Sequence, residues 1–240
     1  MLREAIESVL KQEYDDFEHI VVDGGSSDGS VEMLGEYKHL KWISEPDEGQ
    51  AEAMNKGLGM ISGDIFGWLN SDDTYPKGTF ESVSRVFSGN PGYSMIYGRC
   101  NLVNEEGLSI GSTRMHKFNF NRMIMGFNNI NTPAVFVKVP VIREVGGFDV
   151  GLTATYDIDM WIRIAREHEV VALQEVYSNL RLHSGSGLVS TRNHLQEIPM
   201  LRKKYWNSRT LTDRFFWFPI YMVWDWLFQN LKFRSILRKI

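Results

Sequence analysis

Two adjacent carboxylates, Asp72 and Asp73, directly follow an apolar stretch of the chain. That stretch, Asp64 to Asn70, has the composition of a buried strand, and Pro76 shortly after it indicates a turn. In an open α/β sheet, ligands bind at the carboxyl ends of the strands. Because neighbouring carboxylates repel each other, the pair suits a divalent cation with oxygen ligands. A solvated turn or a helix N-cap would use the same residues without a chemical role, and this stretch alone leaves both interpretations open.

A second predicted strand, Glu18 to Asp23, also ends in a carboxylate. The turn Gly24 to Asp28 then leads into a helix that begins near Ser30. In this place Asp23 could accept hydrogen bonds from a nucleobase or a ribose, and the free N–H groups of the turn could face phosphate oxygens. An ordinary strand-to-helix turn is the alternative.

Two more residues have side chains suited to chemistry, Asp157 and His183. Asp157 lies with Asp159 in the first turn of a predicted amphipathic helix, where acids also stabilise the helix dipole without any catalytic role. His183 ends a predicted strand, Tyr177 to His183, and could bind a metal or a phosphate. A lone histidine is, however, more often an ordinary surface or core residue.

The elements that must position these residues alternate between strand and helix. This alternation predicts an α/β fold with a mostly parallel, doubly wound sheet flanked by helices. The glycines between Gly57 and Gly63 do not match a dinucleotide fingerprint, because they lie in a predicted helix and have one residue too many. The sequence has no P-loop, no cysteine pair and no His-Glu-x-x-His helix, which excludes those phosphate and zinc sites.

The end of the chain differs in composition from the rest. From Arg202 onward there are nine Lys or Arg residues against two Asp, although the whole chain has a net charge of −4. The segment Phe215 to Leu231 is densely aromatic, which suits a helix lying on an anionic membrane surface. Packing on the protein body or on a second subunit of a homodimer is the alternative. We therefore predict a domain over residues 1–201 and a helical amphipathic tail over residues 202–240.

The single cysteine, Cys100, and the absence of an apolar signal peptide favour the cytoplasm. With the tail on a membrane, the protein would lie on the cytoplasmic face. We expect no nucleic-acid partner.

Several stretches together resemble the family 2 glycosyltransferases with a GT-A fold, over roughly residues 3 to 190. They occur in the order typical of that family. The stretches are Glu7 to Gln12, Val21 to Gly29, Glu45-Pro46-Asp47, Asn55-Lys56-Gly57, Gly63-Asp64, Asn70 to Asp73, Gly146 to Asp149 and Asp157-x-Asp159-Met-Trp161.

The resemblance implies a role for each candidate residue. Nucleotide binding would fall to Asp23 at the base, Asp72 at the ribose, Ser26 and Lys56. Asp73 would bind a divalent metal, Mn²⁺ or Mg²⁺. His183 is a candidate second ligand from its residue type and place in the chain, apart from the resemblance. Asp157 would be the base that takes the proton of the acceptor hydroxyl as it attacks the sugar carbon.

This likeness implies inverting, metal-dependent transfer of one sugar from a nucleotide-diphosphate sugar, with UDP as the expected nucleotide. The acceptor would be a sugar or a lipid-linked sugar in polysaccharide or glycolipid biosynthesis. The sequence departs from many members at Gly24, where they have an acid, and at Tyr156, where they have Glu. The Gln-x-x-Arg-Trp motif of processive synthases is missing, which favours transfer of single sugars.

A larger departure is that the family's first strand, which should precede Leu2, is not found in the chain. We expect its absence to leave an edge of the strand ending at Asp23 unpaired. A catalytically inactive relative that acts as a binding or scaffold subunit is therefore one alternative. A nucleotidyltransferase is another, although the chain has no basic glycine-rich loop near its start.

Overall fold

The computed structural model describes residues 1–125, 130–183 and 188–206. Within these residues the chain alternates between helices and strands, as the sequence predicts. The helices are α1 Leu2–Leu10, α2 Ser30–Gly35, α3 Gln50–Met60, α4 Thr79–Gly89, α5 Phe120–Ile124, α6 Val139–Glu144, α7 Tyr156–Glu167 and α8 Leu188–Trp206. The strands are β1 His19–Asp23, β2 Leu40–Ser44, β3 Ile65–Gly67, β4 Met95–Val103, β5 Ser109–Ser112, β6 Val135–Lys138 and β7 Val170–Arg181.

The first two strands form a small parallel sheet. β1 and β2 pair in register from His19 with Leu40 to Asp23 with Ser44, and α2 connects them. Gly29 permits the entry into α2, since its φ of 90° lies in the left-handed region. Both strands therefore end at the same edge of the sheet, which places Asp23 there as predicted.

The second sheet has five strands and mixed directions. Its order is β3-β6-β4-β5, with β7 on the other side of β4. β4 and β7 run parallel, whereas β6 is antiparallel to both β3 and β4. The α/β prediction is confirmed, but parallel pairing does not dominate. The reason is that the β4–β5 hairpin, which turns at Gly107, reverses the chain before β6 inserts between β3 and β4.

An unpaired edge of each sheet lines the same cleft. Among the described residues β1 pairs only with β2, and β3 pairs only with β6. Residues 18–23 and 64–69 all border a cavity of about 1070 Å³. The unpaired edge of β1 matches the expectation drawn from the sequence, and the edge of β3 faces the same space.

Glu18 joins the two sheets at the start of both strands. One of its carboxylate oxygens accepts hydrogen bonds from the N–H groups of Ser62 and Gly63, at 2.6 and 2.7 Å. The other accepts from Lys41 of β2 at 2.7 Å. A side chain, instead of a ladder of backbone bonds, therefore bridges the sheets at this end.

The larger apolar core connects the second sheet with the helices that follow it. Buried members include Met54 of α3, Tyr97 of β4, Val137 of β6, Ile142 of α6 and Trp161 of α7. Each such side chain contributes about 1.5–3 kcal/mol when it is buried. This core fixes α7, and with it the first turn that contains Asp157.

α8 continues past the predicted domain boundary at residue 201. Leu201, Arg202 and Tyr205 are all buried, so the helix packs on the domain up to its end. The rest of the predicted tail, residues 207–240, lies outside the described residues. None of the helices that the structure describes is long and apolar enough to span a membrane.

Candidate active site

Four of the candidate residues border one cleft, where β1 and β3 end, whereas Lys56, Asp73 and Asp157 are not among the residues that line it. Asp23, Ser26 and Gln50 border it on the side of the small sheet. Asp72 and His183 border it on the side of the larger sheet. The topology thus brings together residues that are up to 160 positions apart in the sequence, counting from Asp23 to His183.

Asp23 is buried and organises the turn that follows it. Its Oδ2 accepts hydrogen bonds from the N–H groups of Gly25 and Ser26 and from the hydroxyl of Ser44, at 3.0, 2.9 and 2.6 Å. Burial alone would raise the pKa of Asp23, but the bonds from Ser26, Ser44 and Gly25 outweigh it and hold the pKa below its usual value. Asp23 is therefore an ionised acceptor over the neutral range.

Gly24 lies against the side chain of Asp47. A Cβ atom at this position would lie 2.7 Å from Oδ2 of Asp47, so a larger residue would require this flexible side chain to shift. Asp47 itself borders the cleft. The β2–α3 loop therefore places a carboxylate beside residue 24 at the cleft.

Lys56 is not part of the cleft wall in this structure. Its ammonium group donates to the carbonyl of Pro46 and pairs with Glu45 and Glu52 at 3.1 and 3.4 Å. These contacts anchor the β2–α3 loop. The nucleotide-binding role predicted for Lys56 remains a prediction, whereas its contacts place it behind the loop that includes Asp47.

Asp72 and His183 meet at the cleft. Nε2 of His183 lies 3.0 Å from Oδ2 of Asp72, and both side chains are only partly buried. A carboxylate beside an imidazole is an acceptable part of a site for Mn²⁺. The described residues contain no group of three or more metal-ligating side chains. A cation here would therefore need further ligands from a diphosphate or water, which fits a site of this open type.

Asp73 lies behind this pair and is only 1% exposed. Its Oδ1 accepts from the N–H of Arg181 at 2.9 Å, and its Oδ2 accepts from the amide of Asn70 at 2.9 Å. Burial raises the pKa of Asp73 to about 6, against hydrogen bonds from Arg181 and Asn70 that lower it. Each oxygen accepts one bond and keeps a second lone pair, so metal binding as predicted would require a path from the cleft to this buried carboxylate.

Asp157 lies in the first turn of α7 and is held by two hydrogen bonds. Its carboxylate accepts from the N–H of Ile158 at 2.7 Å and from the hydroxyl of Thr132 at 3.0 Å. Burial raises the pKa of Asp157, and these bonds together with the nearby His194 offset this only in part. A carboxylate with a raised pKa is a stronger base, which suits proton abstraction near neutral pH.

Tyr156 connects the start of α7 to the cleft. Its hydroxyl lies 2.6 Å from Oε1 of Gln50, a residue of the cleft wall. The loop before α7 is held as well, because Asn55 exchanges two hydrogen bonds of 2.8 Å with the backbone of Phe148. Asp157 is thereby tied to the edge of the cleft that contains Asp23.

Some residues of this site were missed by sequence reasoning. Asn70 and Asn55 belong to stretches that carry the family resemblance, but nothing in them indicated their partners. Thr132 and Gln50 had no signal at all, since their contacts with Asp157 and Tyr156 join distant parts of the chain.

The architecture is that of the GT-A glycosyltransferases. S. aureus TarS in complex with UDP-GlcNAc superposes with a TM-score of 0.68 at 16% identity, covering 86% of this chain and 63% of TarS. The mannosyltransferase PcManGT from Pyrobaculum calidifontis, in complex with GDP-Man and Mn²⁺, superposes with a TM-score of 0.65 at 16% identity, covering 87% of this chain and 61% of PcManGT.

The sequence comparison defines the family. The model of glycosyl transferase family 2 matches residues 1–139, and the chain belongs to this family. An uncharacterized glycosyltransferase of Mycobacterium tuberculosis is 30% identical over 183 residues, covering 72% of this chain and 67% of that protein. One from Rickettsia felis is 26% identical over 219 residues, 87% of this chain. The chain spans only 36% of the length of the Rickettsia felis relative.

Proposed function

We propose that this glycosyltransferase moves a single sugar from a nucleotide-diphosphate sugar to an acceptor hydroxyl, with inversion at the sugar carbon. The observation that carries the proposal is the shared cleft. It is bordered by the ionised Asp23 on one side and by the Asp72–His183 pair on the other. The bound ligands of TarS and PcManGT, UDP-GlcNAc and GDP-Man, are donors of this class.

The nucleoside would bind at the end of β1. Asp23 accepts hydrogen bonds there, and Ser26 borders the same part of the cleft. A base N–H or a ribose hydroxyl is a suitable donor to a carboxylate that stays ionised. The chain thus recognises the nucleoside through acceptors at β1, and UDP is the nucleotide we expect first.

The diphosphate would bind at the opposite wall, with a divalent cation. The residues predicted to hold the ion are Asp73 and His183. Asp72 is predicted to contact the ribose, and because it lies 3.0 Å from Nε2 of His183 we propose it as a further ligand. When bound, such a cation offsets the negative charge that develops on the departing nucleoside diphosphate. The PcManGT structure is a complex with Mn²⁺, which supports the choice of Mn²⁺ for the first experiments.

Asp157 would be the general base. Its carboxylate is partly buried, is fixed by Thr132 and Ile158, and lies beside Tyr156, which contacts the cleft wall. It would accept the proton of the acceptor hydroxyl as that oxygen attacks the sugar carbon. A single displacement of this kind inverts the anomeric centre and needs no second nucleophilic carboxylate.

The acceptor we propose is a sugar or lipid-linked sugar of a polysaccharide or glycolipid. The aromatic and basic segment beyond residue 206 would bring the enzyme to an anionic membrane, if it binds there as its composition predicts. An inactive scaffold protein is the competing proposal, and it would also bind nucleotide sugars.

A thermal-shift screen of nucleotide sugars, with and without Mn²⁺, tests the donor class. Ligands that bind only the folded state raise the midpoint of unfolding, by an amount that grows with concentration above Kd. We expect stabilisation by at least one nucleotide-diphosphate sugar and a larger effect with Mn²⁺. Hydrolysis of the stabilising compound then distinguishes an enzyme from a scaffold. Lack of stabilisation by every nucleotide sugar would contradict the proposal.

A further inference from the structure

α8 returns to the start of α7 and places one carboxylate against its N-terminal loop. Oε1 of Glu197 accepts from the N–H and the hydroxyl of Thr153, both at 2.8 Å. Oε2 accepts from the N–H of Ala154 at 3.0 Å and from the N–H and hydroxyl of Thr155 at 2.9 and 2.8 Å. One side chain thus holds five donors from three consecutive residues.

This arrangement replaces an ordinary helix cap. Thr155 is the N-cap residue of α7, but its side chain makes no cap bond to the helix and instead donates to Glu197. Glu197 is 7% exposed and Thr155 is fully buried, so water cannot readily replace the two bonds between them, whereas Thr153 is exposed. The direction in which the chain enters α7 is therefore set by a residue 42 positions further along the sequence.

The residue fixed by this contact is the candidate base. Asp157 follows Thr155 by two positions, and its side-chain direction depends on the first turn of α7. The same helix also contains His194, which lies one turn before Glu197 and affects the pKa of Asp157. Asn193 adds a bond of 2.9 Å to the hydroxyl of Thr153.

A second cluster joins the two helices elsewhere. Asp159 accepts from Lys204 and Tyr205 of α8, at 2.7 and 2.6 Å. α8 therefore does not depend on Glu197 alone to stay packed on α7. Loss of the Glu197 charge is expected to loosen the loop at residues 153–155 while the helix pair remains in place.

We propose that Glu197 is a positioning residue, which holds the entry of α7 so that Asp157 points toward the acceptor hydroxyl. The proposal rests on the function proposed above, in which Asp157 is the base. Glu197 touches neither donor nor acceptor, and it acts through the loop. Its carboxylate charge matters because three N–H groups and two hydroxyls converge on it, and charged acceptors bind such donors about twice as strongly as neutral ones.

The test compares Glu197→Gln with Lys204→Met, which weakens the other cluster between the same helices. Rates are measured with Mn²⁺ and the nucleotide sugar that the wild-type chain hydrolyses fastest among UDP-GlcNAc, UDP-glucose and GDP-mannose. We expect Glu197→Gln to lower kcat about tenfold while the donor KM stays within about twofold. Lys204→Met should leave kcat within about twofold.

A double-mutant cycle separates positioning from a general structural effect. If Glu197 acts through Asp157, adding Glu197→Gln to Asp157→Asn should lower kcat no further than Asp157→Asn does alone. If the fold-losses in kcat of the two single variants multiply in the double variant, the proposal is wrong. Equal losses in Glu197→Gln and Lys204→Met would overturn it as well.

An independent measurement does not need activity. The backbone amide of Ile158 donates to Asp157, so its NMR chemical shift reports on the geometry of this carboxylate. We expect the chemical shift of the Ile158 amide to change in Glu197→Gln and to stay at its wild-type value in Lys204→Met. An unchanged Ile158 signal in Glu197→Gln would overturn the positioning role, even for a chain without turnover. Absence of turnover in the wild type with all three donors would count against the proposed function instead.

Discussion

Nε2 of His183 and Oδ2 of Asp72 lie 3.0 Å apart, although 111 positions separate the two residues in the sequence. The contact joins the end of β7 to the turn after β3. Arg181 strengthens the same junction, because its N–H donates to Asp73 and its guanidinium donates to the carbonyl of Asp72. The metal-binding part of the proposed site thus depends on how these two strands lie together, and its residues can be tested separately.

We expect Asp73→Asn to remove most of the strengthening of UDP binding by Mn²⁺, by about tenfold or more. The substitution keeps an acceptor for the N–H of Arg181 but removes the negative charge that a cation requires. Calorimetric titration of UDP, with and without Mn²⁺, gives the effect. Asp15→Asn, on the exposed surface, is the matched control. Equal strengthening by Mn²⁺ in Asp73→Asn and in the control would show that Asp73 is not a ligand.

Glu18→Ala should lower the free energy of unfolding by about 1.5–3 kcal/mol, because hydrogen bonds to a charged group contribute on this scale. The substitution removes the bridge from β1 to Ser62 and Gly63. Urea denaturation measures the change. Glu13→Ala serves as the control, since Glu13 pairs with Lys77 on the open surface. Exposed pairs of that kind contribute about 0–1 kcal/mol. Similar losses in both variants would argue against a special role of Glu18.

The same bridge predicts a pH dependence. Burial alone would raise the pKa of Glu18, but the hydrogen bonds from Lys41, Gly63 and Ser62 lower it from 4.5 to about 2. Because the pKa of Glu18 is lower in the folded state than in the unfolded state, its ionised carboxylate stabilises the fold at pH values above the unfolded-state pKa of 4.5. This contribution is lost as the pH falls from about 4.5 toward 2. Stability curves of the wild type and Glu18→Gln should therefore converge over this interval. A constant difference down to pH 2 would contradict the assignment.

The tail can be tested by deletion of residues 207–240. If its aromatic and basic residues bind an anionic surface, the full chain should sediment with phosphatidylserine vesicles and the shortened chain should not. Both should bind neutral vesicles weakly. The shortened chain should also keep the unfolding midpoint of the full chain, whereas a large drop would favour packing of the tail on the domain.

The sequence was sufficient for the alternation of elements and for the residues that meet at the cleft, whereas the chemical roles of these residues remain predictions. The predicted strand Glu18 to Asp23 matches β1 to within one residue, and the strand ends place Asp23 and Asp72 at one cleft. The spacing of apolar residues depends only on the local sequence. It therefore also predicted the amphipathic helix that contains Asp157. The family resemblance supplied the roles, and the comparisons confirm the family and the GT-A fold.

The remaining features depend on contacts between distant segments. Strand direction in the second sheet follows from the insertion of β6 between β3 and β4, which no local pattern encodes. Asp73 accepts from the N–H of Arg181, which is 108 positions away, and the loop before α7 is held by Glu197. β7 also begins earlier than the predicted strand Tyr177 to His183, at Val170, because it pairs with β4 along its length and so extends beyond its most apolar residues.

The central claim is that Asp157 is the base of a nucleotide-sugar transfer reaction, and the turnover of Asp157→Asn tests it most directly. The measurement is the rate of nucleoside diphosphate release with Mn²⁺ and saturating donor, beside calorimetric titration of the same donor. Glu167→Gln, at the exposed end of the same helix, is the control. We predict that Asp157→Asn keeps its donor affinity while its rate falls on the order of 10² or more, as expected for loss of a general base. A rate equal to that of the wild type would contradict the account.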